Sequence, residues 1–203
     1  MHNERTDYEH IERIEPNAHE FEPLPISEHT DDVRSKMGAW RWLGLEPYRD
    51  LLMSLMHDAR VMDFGGSAGP ISNDAEIVDY EADAKAPYDL TGKFDVIFTS
   101  HTLEHIADVQ NCVNCLVDKL NEGGWFVAFV PGWKYEPWRA VNYPTHYQTF
   151  YLSWDELPED IRDDLDPSWT AIDQVLEDAG LTLHTSDWTH EECIILFATK
   201  LTD

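Results

Sequence analysis

FDVIFTSHTLEHI, residues 94–106, fits two incompatible chemistries. On a helix, its H-x-x-E-H would set His101 and His105 one turn apart as zinc ligands, with Glu104 as the general base of a metallopeptidase. At the end of a buried strand, it would instead floor a nucleotide-type cofactor site. The run FDVIFTS has the length and the Val, Ile and Phe content of a strand, so the histidines begin at its carboxyl end, where open α/β sheets hold ligands. The peptidase reading needs the same residues in mid-helix and a third ligand elsewhere.

Working outward, the same kind of run recurs. RVMDFGG (60–66), AEIVDY (75–80) and WFVAFVPG (125–132) are short, apolar and bounded by turn residues. Between the third and fourth runs lies HIADVQNCVNCLVDKLNEGG, in which Ile106, Val109, Val113 and Leu116 keep helical spacing and Gly123 and Gly124 are expected to stop the helix. Strand, helix and buried strand in that order describe a crossover in a parallel sheet, so the fold class is α/β. Downstream, SWTAIDQVLEDAG reads as a helix, and LTLHTSDWTH and CIILFATK as strands. Upstream, a helix holding Met37, Trp40 and Trp42 is expected, followed by a second with Pro47 in its first turn and Leu51, Leu52, Leu55 and Met56 as its apolar stripe. Residues 1–30, charged and interrupted by Pro16, Pro23 and Pro25, read as a polar arm without a core. Residues 31–203 read as one domain, with N-terminal helices over 31–59 and a variable insertion over 133–165.

Composition narrows the partners. Forty Asp plus Glu against 14 Lys plus Arg give a formal charge of -26, and no cluster of Lys or Arg interrupts it, which disfavours nucleic acid and anionic membranes. Such acidity suits solubility or salt adaptation better than a charged partner. Three cysteines, no secretory pattern and no apolar run of bilayer length make a reducing cytoplasm the expectation.

The glycine-rich VMDFGGSAG (61–69) ends the first strand, and glycines there let a ligand approach the backbone without meeting a Cβ. It is not a dinucleotide fingerprint, because position 67 is Ser and position 70 is Pro, leaving no third glycine for a helix to pack on. It also matches G-x-S-x-G with Ser67 as nucleophile, but PISND follows where a nucleophile elbow requires a helix. The pattern Asp63-x-Gly65-Gly66-Ser67-x-Gly69 resembles motif I of the class I S-adenosylmethionine-dependent methyltransferases. FDVIFTSHTLEHI resembles the fourth-strand motif of that superfamily, and NEGGWFVAFVPG its helix-end, double-glycine, fifth-strand segment; together the three span residues 61–132 in the superfamily's order.

The resemblance implies a Rossmann-like, mostly parallel sheet with an antiparallel last strand and helices on both faces. It implies S-adenosylmethionine as cofactor, S-adenosylhomocysteine as product, and a cofactor site made of Asp63, Phe64, Gly65, Gly66, Ser67, Gly69, Ser100 and His101, with Asp63 orienting the loop or the cofactor's amino group. An acidic residue for the ribose normally lies about 20 positions past the glycine loop. Here Asp79 is ten past Gly69 (79 minus 69), so the first crossover helix is expected to be shortened or missing. Asp79 is the choice for ribose and Asp83 for adenine, with Tyr80 as a stacking face and Glu81 as the rival for either acidic role.

The aromatic stretch after the fifth strand offers Trp133, Tyr135, Arg139 and Tyr151 as an acceptor wall, or equally as a satellite core. His146 and His105 are the candidate general bases, and no metal ligand is assigned. Cys112 and Cys115 form C-x-x-C within a helix without a second pair, which excludes a zinc ribbon. The expected activity is methyl transfer to a small molecule or glycan. A catalytically silent binding module on the same fold is the second reading, and a zinc hydrolase through HTLEH the third.

Overall fold

Period-two alternation in long apolar runs decides how this chain packs, because a strand buried on both faces must feed two cores at once. The computed structural model describes Ala39 and residues 43–66, 69–78, 91–163, 165–189 and 191–202. The polar arm, Met37, Trp40, Trp42, Ser67, Asp79, Tyr80, Glu81 and Asp83 lie outside the described residues.

Six strands form the main sheet: β1 (Val61–Phe64), β2 (Glu76–Val78), β3 (Phe94–Ser100), β4 (Leu120–Pro131), β7 (Leu181–Trp188) and β8 (Cys193–Lys200), in the order β2-β1-β3-β4-β8-β7. The pairs β1–β2, β1–β3 and β3–β4 are parallel, and β8 runs antiparallel to both β4 and β7. Two short strands, β5 (Thr149–Tyr151) and β6 (Trp169–Ala171), pair with each other in parallel as a separate small sheet.

Ile97, Phe126, Ala128, Val130, Ile194 and Leu196 turn to one face of the main sheet. There they meet α2 (Val109–Asp118), through Val113 and Leu116, and α3 (Ile172–Asp178), through Val175 and Leu176. The alternate residues Val96, Phe98, Val127, Phe129, Ile195 and Phe197 turn to the other face and meet Leu45 and Leu52. Leu45 lies on a 3-10 turn spanning Leu43–Tyr48, and Leu52 on α1 (Arg49–Met56). Of the expected stripe on α1, Leu52 is fully buried and Leu51 faces solvent.

Among the described residues between Phe64 and Glu76 there is no helix beyond a single 3-10 position at Gly66, so the shortened first crossover is met. The double glycine departs from the expected reading. Helix α2 ends at Asp118, and the strand begins at Leu120, before Gly123 and Gly124. Phe94 pairs with Leu120 but Val96 with Trp125, so the glycine pair sits in a bulge. A Cβ on Gly124 would come within 2.8 Å of the Asn121 carbonyl oxygen and 3.0 Å of that of Asp95, and Gly123 has φ +71°. The pair serves a tight backbone approach inside the strand, and the helix stops without it. No helix among the described residues is long and apolar enough to cross a membrane.

Candidate active site

The carboxyl ends of β1 and β3 lie side by side, with Phe64 opposite Thr99. Beyond them the chain makes two close turns. Gly65 has φ +86°, and its amide donates to the Val78 carbonyl on β2 at 2.7 Å. A Cβ there would overlap the Thr102 hydroxyl and come within 2.6 Å of its Cγ2, so the glycine loop and the segment after β3 touch only because residue 65 has no side chain. Gly66 is held as closely against the Asp63 carboxylate, and the Gly69 amide donates back to the Gly66 carbonyl at 2.9 Å.

Asp63, 1% exposed, accepts a 2.6 Å hydrogen bond from the Ile71 amide, which ties the far end of the loop to its start. Burial pushes the Asp63 carboxyl up to about 6, against the downward pull of the Ile71 bond. The folded protein therefore keeps this proton up to about pH 6, whereas an unfolded aspartate loses it near pH 4. Native stability from this group falls as pH rises through that window, by roughly 2–3 kcal/mol. Asp63→Asn, which keeps an oxygen for the Ile71 amide, is expected to flatten that part of the stability profile; urea unfolding of both proteins between about pH 4 and pH 7 measures the difference.

The HTLEH segment is not an α-helix. Strand β3 runs to Ser100, His101 takes φ +50°, and Leu103–His105 form one 3-10 turn. The helical arrangement that a metallopeptidase needs of His101 and His105 is therefore not formed. His101 donates its amide to the Phe129 carbonyl on β4, and its ring lies edge-on to Phe129 and Trp138, with Nε2 3.6 Å from the Cys193 sulfur. Ser100 Oγ and Thr99 Oγ1 are buried without hydrogen-bond partners among the described residues.

Glu104 is a second buried carboxyl of the site. Its side chain is 1% exposed, its Oε1 is 3.6 Å from His101 Nδ1 and 3.9 Å from His105 Nε2, and its Oε2 has no partner among the described residues. Burial raises its carboxyl to about 8. The stretch after β4 folds back over it as a strap. The Tyr147 and Gln148 amides donate to the Glu104 carbonyl at 2.7 and 3.2 Å, and the Gln148 side chain donates to the Ile106 and Ala107 carbonyls. This strap brings His146 to His105, with ring centroids 4.6 Å apart and nearly perpendicular planes. His146 Nδ1 lies 2.7 Å from the Trp138 carbonyl, and His105 Nδ1 2.9 Å from that of Thr145. A carbonyl can only accept, so each Nδ1 carries the proton and each neutral ring has its lone pair on Nε2. Partial burial, together with the neighbouring His105, holds His146 below the usual histidine range despite the Trp138 bond.

The acceptor-side candidates separate into two groups. Tyr135 lies against Trp138 at 4.6 Å, and Trp138 in turn against His101, so these aromatics border the histidines. Trp133 and Arg139 belong to a different stack: Arg139 donates to the Trp133 carbonyl at 2.7 Å, and its guanidinium lies 5.8 Å from the Trp133 ring and 5.7 Å from that of Trp169. Tyr151 is buried in β5, its hydroxyl pKa raised by burial and by Asp173. The sequence reading passed over Trp138 and used Glu104 only in the hydrolase alternative. The H-x-x-E-H spacing pointed to Glu104, but no local signal marked Trp138. Cys112, Cys115 and Cys193 are free thiols, with Cys112 pushed up to about 12 by burial.

Comparison with known proteins adds to this geometry. A family model described as a methyltransferase domain matches residues 40–186. No curated relative matches the sequence. Among solved structures, the chain is similar to magnesium protoporphyrin IX methyltransferase from Synechocystis PCC 6803 with bound SAM (14% identity, 80% of this chain and 82% of that one, TM-score 0.48). It is also similar to 1,6-didemethyltoxoflavin-N1-methyltransferase from Burkholderia thailandensis (14% identity, 79% of each chain, TM-score 0.48). A third is the N-methyltransferase NodS from Bradyrhizobium japonicum WM9 (12% identity, 77% of this chain and 96% of that one, TM-score 0.47). With the family model spanning well over half of its length, this chain belongs to the methyltransferase-domain family, within the class I S-adenosylmethionine-dependent superfamily that its three motifs resemble.

Proposed function

We propose that the protein transfers a methyl group from S-adenosylmethionine to a small-molecule or glycan acceptor at the joint carboxyl rim of β1 and β3. The observation that carries this reading is the glycine cradle there. Gly65 is held in the left-handed region against Thr102, near the buried hydroxyl of Ser100, which has no hydrogen-bond partner among the described residues. A Cβ-free backbone turn next to an unused hydrogen-bonding group suits the amino-acid end of such a cofactor, and the chain's excess negative charge suits a cationic sulfonium. The cofactor supplies an activated methyl on sulfur when bound. The protein's task is then chiefly alignment.

Asp63 fixes the loop, while Gly65, Gly66, Gly69, Ser100 and His101 line the cofactor's side. Asp79 for the ribose, Asp83 for the adenine and Tyr80 as a stacking face are assigned from the family resemblance, these three residues lying outside the described ones. Tyr135 and Trp138 border the acceptor's side. His105 and His146, each with Nδ1 at a backbone carbonyl, keep Nε2 as the basic nitrogen, which equips them to receive a proton from a hydroxyl or protonated amine.

Calorimetry with S-adenosylhomocysteine tests the reading: one molecule is expected to bind per chain, and labelled S-adenosylmethionine is expected to give methylated product with a matching acceptor. Absence of binding heat at high protein concentration would favour the silent module instead, a reading that the shortened first crossover makes specific.

A further inference from the structure

We propose that Glu104, His105 and His146 bind one divalent transition-metal ion, in a site distinct from the zinc triad that the HTLEH spacing alone suggests. One ligand atom from each of the three residues lies within 4.8 Å of the others, a set that small side-chain adjustments can close around an ion at ordinary bond lengths. The residues come from separate parts of the chain: two from the 3-10 turn after β3 and one from the strap after β4.

Three independent observations point to an ion. Both histidines give Nδ1–H to a backbone carbonyl, Thr145 for His105 and Trp138 for His146, which is the arrangement that fixes a metal-binding imidazole with its Nε2 lone pair toward the ligand. Glu104 is 1% exposed, and its Oε2 has no hydrogen-bond partner among the described residues, a buried oxygen that a bound cation would satisfy. The strap sets the His146 ring against His105, with centroids 4.6 Å apart, so one ring nitrogen of each histidine and a Glu104 oxygen lie within a single 4.8 Å cluster. Two imidazoles and one carboxylate suit zinc, cobalt, manganese or ferrous ions, and three protein ligands leave coordination positions for water or for an acceptor oxygen. With an ion bound, the ligating imidazole nitrogens could no longer accept a proton; the ion would instead lower the pKa of a coordinated acceptor hydroxyl, whose proton would leave to water.

Metal binding stands apart from the cofactor reading and is measured without nucleoside. The full chain is stripped with chelator and titrated with Zn2+ against a chromophoric competitor, and Co2+ is followed by its visible absorption. Wild type is expected to take up one equivalent and to give the visible bands of a nitrogen- and oxygen-ligated Co2+. Glu104→Gln and His146→Gln are expected to weaken uptake by about 100-fold or more and to lose the bands. His57→Gln, at an exposed histidine beside Asp58, is expected to behave as wild type. Circular dichroism shows whether each variant is folded, and if either fails, His105→Gln replaces it. Equal uptake by wild type and the ligand variants would overturn the proposal by assigning the ion to surface groups or to the histidines of residues 1–30, as would no stoichiometric uptake at all. S-adenosylhomocysteine calorimetry on the same samples reports the methyl-transfer reading separately, so either can fail alone.

Discussion

Gly65→Ala is expected to weaken S-adenosylhomocysteine binding by about 100-fold, equivalent to about 3 kcal/mol. Two costs combine. Alanine at φ +86° pays about 1–2 kcal/mol for a left-handed backbone. Its methyl group also overlaps the Thr102 hydroxyl, Cγ2 and Cβ, so the glycine loop and the segment after β3 must separate. Separation opens the cradle at the point where the cofactor is proposed to rest. The double variant Gly65→Ala/Thr102→Gly removes the overlap and keeps the backbone cost, so it is expected to recover about half of the lost binding energy. Calorimetry on the three proteins, with thermal melts to show that each is folded, makes the comparison. Wild-type affinity in Gly65→Ala would mean that the loop is not the cofactor's floor.

Gln148→Leu is expected to destabilise the protein by about 3–5 kcal/mol, with the damage centred on the strap. The Gln148 amide donates to the Ile106 and Ala107 carbonyls at 3.2 and 3.1 Å and accepts from the Thr170 hydroxyl at 2.6 Å, all in a partly buried setting. Leucine fills much of the same volume but leaves three polar groups without these partners, at roughly 1–3 kcal/mol each before relaxation. Thr170→Val removes only one of the three bonds and is expected to cost about 1 kcal/mol. Urea unfolding gives the totals. Hydrogen exchange locates the effect: the Tyr147 and Gln148 amides should exchange faster than those of β3 and β4. Uniform exchange across the sheet would show that the glutamine supports the core and does not hold the strap.

The strands were legible wherever burial on both faces forced an unbroken apolar run. CIILFATK became β8 residue for residue, and FDVIFTS became β3, because no soluble helix of that length is apolar all round. Strands β5 and β6 gave no such signal. TFY and WTA are three residues each, and they are strands because they pair with each other across about 20 positions of chain, which no local pattern records. The glycine pair misled for a related reason: Gly123 and Gly124 follow a helical pattern, but their conformation answers to Asn121 and Asp95 within the bulge. At the site, His105 and His146 could be singled out as histidines, whereas their meeting could not. It depends on the strap's hydrogen bonds to the Glu104 carbonyl, which are backbone contacts and leave no mark on side-chain chemistry.

That junction has a consequence for how this enzyme type can diversify. The Glu104 carbonyl receives two amides from the strap, and the strap's own carbonyls, at Trp138 and Thr145, orient the imidazoles. Under the proposed function, acceptor wall and proton-accepting rings would thus form one mechanical unit. Exchanging residues 133–148 to admit a bulkier acceptor would re-aim both rings at the same time, so a graft there should alter turnover as strongly as selectivity, and new specificity in this scaffold would have to evolve jointly with new reactivity.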